Sequence, residues 1–321
     1  MSYKSQPKLN LPFTGHCTFA KRAIAECDEY IDADFAVIGV PFDMGCQYRS
    51  GARFGPRSIR QASTLFSFGH NGAYDHERKT LFLPSDKVKI VDVGDVDMIH
   101  TDSEQSLENT KQAIKTLLKS KAIPVILGGD HSITAATLAA YDTYSDIHVL
   151  QIDAHLDFVD ERHGVKYGHG NCMRRASEME HITGLTQLGI RNTSSSSSRD
   201  YIDAVEAGST ILSVQQCRKL GLDAILETIP KGKNVYITID IDGFDPSIAP
   251  GTGTPSHGGF LYYEIQELLE KVCQQNTIVG VDLCEVAPAY DPAEVTATLA
   301  AQLLINLMGY IHHYNHGDSY V

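Results

Sequence analysis

Short apolar runs alternate along the chain with longer segments of mixed polarity. Each run is five or six residues long and rich in Val, Ile and Leu, and most of them end beside Gly, Pro or Asp. Runs of this length and composition are typical of β-strands. They predict eight strands: Phe35–Val40, Val88–Val93, Ile123–Leu127, His148–Ile152, Leu185–Ile190, Thr210–Val214, Val235–Ile239 and Ile278–Leu283.

The segments between these runs have helical patterning. Within the last of them, the nearly apolar stretch VTATLAAQLLINLMGYI contains Gln302 and Asn306, which favours a buried helix over a membrane span. Seven helices are predicted: Pro56–Leu65, Ser103–Ser120, Ser132–Tyr141, Arg199–Ala207, Gln215–Thr228, Tyr262–Gln275 and one from Ala293 to about Tyr310.

The alternation of strands and helices predicts an α/β fold. Strands that are apolar on both faces indicate an eight-stranded, mainly parallel sheet with helices on either side, a three-layer sandwich. No linker or internal repeat divides the chain, so residues 1–321 are expected to form a single domain. The first ~30 residues are interpreted as an irregular extension, and the low-complexity segment Thr193–Ser198 as a surface loop.

Acidic residues and a histidine directly follow the fourth predicted strand. In the run HVLQIDAHLDFVD, Asp153, His155 and Asp157 are spaced two residues apart. In an extended backbone, residues at this spacing point to the same side. Two carboxylates and an imidazole that converge at a strand end are a suitable half of a divalent-metal site.

Two further strand ends supply ligands of the same types. His131 follows the run IPVILGGD, and Asp240 and Asp242 end the run YITIDID, again at spacing two. Because parallel sheets bind ligands at the carboxyl ends of their strands, the three groups are expected to meet at one edge. Four aspartates and two histidines exceed the needs of one ion and suit two.

Each motif also has an ordinary structural interpretation. The Asp-x-His-x-Asp run could be a solvated strand end, GGDHS could be a helix cap, and IDIDGFDP could be a turn with capping aspartates. Three unrelated capping clusters would not be expected to fall at three strand ends with complementary ligand types. The joint pattern therefore favours a metal site.

Composition restricts the class of protein and the partners that this site can belong to. The 321 residues are 42% hydrophobic and 21% charged, as in ordinary globular proteins, and the net charge of −13 disfavours nucleic acid and anionic membranes as partners. The seven cysteines are an odd number without a CxxC pair, and no secretory signal is evident, so a cytoplasmic protein with reduced thiols is expected. Cys46, Cys172 and Cys284 lie near the motifs, and buried structural thiols are the favoured interpretation.

The motifs GGDHS, DAHLD, TIDIDGFDP and PGTGTPSHGG resemble the signatures of the ureohydrolases, the family of arginase, agmatinase and guanidinobutyrase. The resemblance extends through YRSGARFGPRSIRQAS, VDVGDVD and VDLCEVAPAYDPAEVTATLAAQLL, and covers roughly residues 35 to 310. CQYRSGARFGPRSIR and EVAPAYD look most similar to the agmatinase branch. The resemblance implies a fold of the arginase and deacetylase type and a homo-oligomer, a trimer or hexamer.

The resemblance also implies a binuclear Mn²⁺ site and the roles of individual residues. One ion would be held by His131 and Asp157 and the other by His155 and Asp242, with Asp153 and Asp240 bridging; Ni²⁺ or Co²⁺ remains an alternative. His169 matches the family's proton shuttle, with His163 as a competitor for that role. Glu285 matches the glutamate that binds the guanidinium, and Asp157 is counted with His169 and Glu285 as catalytic.

The substrate is expected to be a small guanidino compound. Agmatine is the first expectation because of the branch and the acidic chain, and Asp160, His163 and His257 are predicted substrate contacts. Guanidinobutyrate, with Arg162 as partner for its carboxylate, guanidinopropionate and free guanidine are alternatives. Three other classes have less support: a single-zinc deacetylase, a non-catalytic relative that binds ligands of the polyamine type, and a metallophosphatase.

Overall fold

Nine parallel strands form the central sheet of the computed structural model, which describes residues 11–28, 30–67 and 72–316. A separate antiparallel hairpin is formed by β3 (Ala73–Asp75) and β4 (Thr80–Phe82). The sheet has the order β1-β5-β2-β6-β11-β10-β7-β8-β9. Its strands are β1 (Ala23–Ile24), β2 (Phe35–Val40), β5 (Ile90–Asp95), β6 (Ile123–Gly128), β7 (Ile147–Ile152), β8 (Ile182–Leu188), β9 (Ser209–Leu212), β10 (Asn234–Asp240) and β11 (Thr277–Cys284).

Helices cover both faces of this sheet. They are α1 (Gly55–Ser63), α2 (Ser103–Lys119), α3 (Ile133–Leu138), α4 (Cys172–Ser177), α5 (Ser198–Glu206), α6 (Val214–Leu220), α7 (Leu222–Leu226), α8 (Tyr262–Gln275) and α9 (Val295–His316). Alternate strand residues enter two separate apolar cores: Phe35 and Val37 pack with α1, α8 and α9, whereas Ala36 and Ile38 pack with α2, α3 and α4. This alternation follows from the two-residue period of a strand.

The predicted three-layer parallel architecture is confirmed, with nine strands instead of eight. Each of the eight predicted runs overlaps a strand of the sheet, with ends that differ by up to three residues. The additional strand β1 has only two residues, both exposed, so it leaves no periodic pattern in the sequence. The short helix α4 and the β3–β4 hairpin were not predicted, and the predicted helix Gln215–Thr228 is divided into α6 and α7 at Gly221, whose φ is +80°.

In residues 11–28, the described part of the predicted N-terminal extension, Phe19 contacts the sheet and α1. Phe19 is fully buried, and its backbone N–H donates to Asp92 at 2.7 Å. The same carboxylate accepts from Arg60 Nε at 2.9 Å, an ion pair that ties α1 to β5. The segment is therefore held by a buried charge pair that local sequence patterning does not reveal.

The last helix forms part of the core, as its sequence predicts. By length and composition alone, Pro292–Asn315 could cross a membrane, but 67% of its apolar window is buried inside the protein. It packs most extensively against α8 and α1. A helix that is apolar on nearly all sides requires such burial.

Four adjacent central strands, β6, β11, β10 and β7, end at the same edge of the sheet. In the parallel register Ile239 pairs with Ile152, which places Asp240 beside Asp153 at the strand ends. His131 follows β6, and Glu285 follows β11 directly. The sheet order thus brings together residues that are far apart in the sequence.

Candidate metal centre and active site

His131 lies at the centre of one group of predicted ligands. Its Nδ1 atom is 3.0 Å from an oxygen of Asp153, 3.0 Å from one of Asp157 and 3.5 Å from one of Asp240. The histidine and the three carboxylates are buried. The arrangement has the ligand types and the convergence of a divalent-cation site.

His155 forms the second group with two carboxylates. Its Nδ1 atom lies 3.1 Å from Asp242 Oδ2 and 3.5 Å from Asp153 Oδ1. Asp153 therefore takes part in both groups, with one oxygen towards each histidine. A carboxylate in that position is suited to bridging two ions.

The charge of these groups supports the presence of cations. Burial alone would lower the pKa of His155, yet the negative charges of Asp242 and Asp153 raise it to about 12. Burial raises the pKa of Asp240 well above its usual range, and Asp242 and Asp153 raise it further. Four buried aspartates in contact need positive charge nearby, which two histidines do not fully provide.

The tautomer of His131 is set by a chain of hydrogen bonds that the sequence did not indicate. Thr238 Oγ1 donates to Asp282 Oδ1 at 2.6 Å, so the same hydroxyl oxygen accepts the Nε2–H of His131 at 2.8 Å. Asp282 is fully buried and also accepts hydrogen bonds from Tyr236 at 2.7 Å and Thr134 at 3.0 Å. In the neutral imidazole this bond leaves Nδ1 with a lone pair that faces the carboxylates, so the residues present fit a metal ion.

Thr238→Val should weaken metal binding by about 10- to 100-fold, the usual effect of losing an outer-shell partner. Valine preserves the shape and β-branching of threonine but cannot accept from His131 or donate to Asp282. Competition with a chelator would measure the affinity. Thr183→Val, at an exposed position of β8, is the matched control. Unchanged affinity in Thr238→Val would mean that this chain does not orient His131.

His169 and Glu285 lie beside the histidine–aspartate groups. His169 Nδ1 is 3.0 Å from Glu285 Oε1, which also accepts the backbone N–H of His131 at 3.0 Å. Burial disfavours the charged imidazolium, but the hydrogen bond and charge of Glu285 outweigh it and raise the pKa of His169 to about 9. Glu285 has a φ of +65° and Asp157 a φ of +53°, a strained conformation that is concentrated at functional sites.

A cavity of about 620 Å³ opens over these residues. Two arginines, Arg49 and Arg162, lie on its wall. Arg162 is held by Gln47 Oε1 at 2.5 Å and by the carbonyl of Ser195 at 2.6 Å. Within the described part of the chain, the lining residues are Gln47, Tyr48, Arg49, His155, Asp157, Arg162, His169, Gly170, Asn192, Ser194, Ser195, Ser196, Asp240, Thr254 and Pro255.

The structure does not bring the three predicted substrate contacts to this cavity. Asp160 is exposed and paired with Arg175 at 2.5 Å. His163, with a φ of +54°, occupies an exposed turn closed by the Arg162–Val165 bridge. The side chain of His257 is exposed, and only its carbonyl is used, as acceptor for Arg191. Loop geometry, which composition does not encode, turns these side chains outward.

Two cysteines lie close to the site. Cys172 is buried, and its sulfur donates to Asp157 Oδ2 at 3.4 Å. Cys46 is half-buried and lies near His169 and Glu285. Asp130 is a further residue of the site that the sequence did not single out, and its buried carboxylate accepts from the backbone N–H groups of Gly45 and Ser132. Its position beside His131 in the GGDHS motif could have indicated that it belongs to the site.

Comparison with known proteins adds the family context. Residues 33–309 match the arginase family. The chain is 32% identical to a guanidinobutyrase of Pseudomonas aeruginosa over 92% of each chain, and 33% identical to a mitochondrial agmatinase of Gallus gallus over 92% of this chain and 85% of that one. The solved structure of proclavaminate amidino hydrolase from Streptomyces clavuligerus superposes with a TM-score of 0.83 at 32% identity, covering 94% of this chain and 98% of that one.

Proposed function

The chain belongs to the arginase family, and from this premise we propose that it hydrolyses the guanidinium group of a small guanidino acid. Membership makes it a hydrolase that acts on guanidino compounds, which confirms the resemblance read from the motifs. The proposal concerns the residues that perform the reaction and the chemical class of the substrate's tail.

Six residues would hold two divalent cations, Mn²⁺ being the expected metal. The groups around His131 and around His155 would each hold one, with Asp153 shared. Two cations held by these residues would supply Lewis acidity and would lower the pKa of a water molecule there to near neutrality. Four carboxylates offset the charge of two divalent ions, so the site does not repel a cationic guanidinium.

The protein's own residues bind the guanidinium and move the proton. Glu285 offers a buried carboxylate that can accept charge-assisted hydrogen bonds from the guanidinium N–H groups. His169 borders the cavity and is held by Glu285, so its imidazolium can donate a proton to the leaving amine nitrogen. Burial of this pair limits the competition from bulk water.

Charge at the cavity wall favours a substrate with an acidic tail. Among the described lining residues, the only carboxylates are Asp157 and Asp240, which belong to the metal centre, whereas Arg49 and Arg162 are cationic. Arg49 donates two hydrogen bonds, to the carbonyls of Gly253 and Thr252, and Arg162 also donates two, to Gln47 and the carbonyl of Ser195. Each guanidinium keeps further N–H groups, and we assign the substrate carboxylate to Arg162. The positive charge of the cavity wall is the single observation on which we propose a guanidino acid in place of agmatine as the substrate.

The agmatine expectation rested on the similarity to the agmatinase branch and on the acidic chain, with Asp160 as a predicted substrate contact. Asp160 is paired with Arg175 and does not line the cavity. A second positive charge on the substrate would instead approach Arg162. Free guanidine would need a narrowed pocket, but Phe158 is fully buried outside a cavity of about 620 Å³. Similarity to a guanidinobutyrase and an agmatinase is nearly equal, so the wall charge is the deciding observation.

A substrate panel tests this proposal together with Arg162→Met. We expect the kcat/KM for 4-guanidinobutyrate or 3-guanidinopropionate to exceed that for agmatine. Arg162→Met should lower the value for the acid by about 10- to 100-fold, since a charge-assisted bond contributes ~1.5–3 kcal/mol and ~1.4 kcal/mol is tenfold. The value for agmatine should not fall. Urea release from the Mn²⁺-loaded protein is the measurement.

Arg199→Met is the matched control, because Arg199 is an exposed arginine of α5 that pairs with Asp203. It should leave the preference for acids unchanged. A kcat/KM for agmatine that is a hundredfold above the acids would return agmatine to first place. The reaction class would stand, because both substrates are attacked at the same guanidinium carbon.

A further inference from the structure

A thiol lies beside the two residues to which the proposed function assigns proton transfer and guanidinium binding. The sulfur of Cys46, a ring nitrogen of His169 and a carboxylate oxygen of Glu285 all lie within 4.8 Å of one another. Tetrahedral zinc holds its ligands about 3 to 4 Å apart, so small side-chain movements would bring all three onto one ion.

The backbone fixes the position of Cys46 from two sides. The N–H of the preceding Gly45 donates to Asp130 Oδ2 at 2.7 Å, and the Gly45 carbonyl accepts from the His169 N–H at 3.3 Å. A Cβ at Gly45 would lie 2.8 Å from Ser132 Oγ, so glycine allows this close approach. The thiol is thus placed against the site by contacts that need no bound ligand.

The three side chains differ in chemistry from the proposed binuclear centre. That centre offers four aspartates and two histidines, a mainly hard oxygen set that suits manganese. Cysteine, histidine and glutamate together form a mixed sulfur, nitrogen and oxygen set, which favours zinc. The two sets would therefore select different metals.

We propose that Cys46, His169 and Glu285 form a separate zinc site whose occupation inhibits the enzyme. The inhibitory part rests on the proposed function, because an ion there would take the carboxylate that binds the guanidinium and the imidazole that carries the proton. It would also stand at the base of the cavity, where His169 lies. Zinc binding itself does not depend on which reaction is catalysed.

Zinc inhibition of the Mn²⁺-loaded enzyme tests the regulatory part. Urea release is followed while Zn²⁺ is added, and each variant is normalised to its own uninhibited rate. Cys46→Ser should raise the zinc concentration for half-inhibition by at least about tenfold, since losing a ligand costs no less than losing an outer-shell partner. Cys17→Ser, which removes an exposed thiol, should behave as the wild type. Equal inhibition of Cys46→Ser and wild type would overturn the proposal.

Cobalt substitution tests the site without an activity assay. Co²⁺ added to the Mn²⁺-loaded protein should give a near-ultraviolet thiolate-to-cobalt absorption band that is present in Cys17→Ser and absent in Cys46→Ser. A band that survives in Cys46→Ser but is lost in Cys172→Ser would assign the thiolate ligand to Cys172 and refute the Cys46 site. No thiolate band in any form would refute it as well.

The two experiments separate the failure of the site from the failure of the function. If no guanidino compound is hydrolysed, the proposed function fails, and the cobalt band still decides whether Cys46 binds metal. If urea is released but the band is missing, the function stands and the zinc site falls.

Discussion

Asp153→Asn and Asp240→Asn are each expected to remove both metal ions and to lower kcat by more than about 10³-fold, beyond the 10²–10³-fold typical of one electrostatic group. Asp153 contacts both His131 and His155 through its two oxygens, and Asp240 lies beside it in the sheet register. Asparagine keeps the shape but removes the charge that would offset the cations. Elemental analysis and urea release on the same preparations measure the effect.

The number of metal ions lost in each variant distinguishes a ligand that both ions share from a ligand of one ion. His131→Asn should chiefly weaken one ion, because the group around His155 keeps its two carboxylates. His257→Asn, at an exposed position outside the cavity, is the neutral control. Full occupancy by two metals in Asp153→Asn would contradict the shared role of this carboxylate. A single tightly bound zinc in the active wild type would contradict the binuclear centre altogether.

His169→Asn should lower kcat by ~10²–10⁴-fold, the usual contribution of general acid–base catalysis. The manganese content should not change, because His169 touches Glu285 and not the groups around His131 and His155. His163→Asn is the natural control, since His163 lies in an exposed turn. A collapse of activity in His163→Asn, with near-normal turnover in His169→Asn, would transfer the proton-donor role to His163.

The pH profile adds a second test of His169. The raised pKa of about 9 keeps the imidazolium protonated at neutral pH, as a proton donor requires. A donor is lost when pH rises through its pKa, so kcat should decline on the alkaline side. Bound cations would lower that pKa, which places the decline at or below about pH 9. The residual activity of His169→Asn should lack this decline.

The sequence by itself determined the architecture and the candidate ligands. The five- and six-residue apolar runs specify strands buried on both faces, and the candidate ligands follow the ends of these strands. The extended backbone expected over Asp153, His155 and Asp157 is not observed, because β7 ends at Ile152 and Asp157 has a φ of +53°. Asp240 ends β10 and Asp242 lies in the 3-10 turn that follows, so the strand end also positions this pair. These signals are local, since each depends only on neighbouring residues and on the geometry of an extended chain.

Only the tertiary structure decided what surrounds those ligands. Thr238 and Asp282 lie inside apolar strands more than a hundred residues from His131, and they reach it because β6, β11 and β10 are neighbours in the sheet. Arg162 faces the cavity while His163, the next residue, turns outward, because the Arg162–Val165 bridge fixes the turn. Contact across such distances depends on strand order and loop geometry, and the spacing of residues along the chain does not contain either.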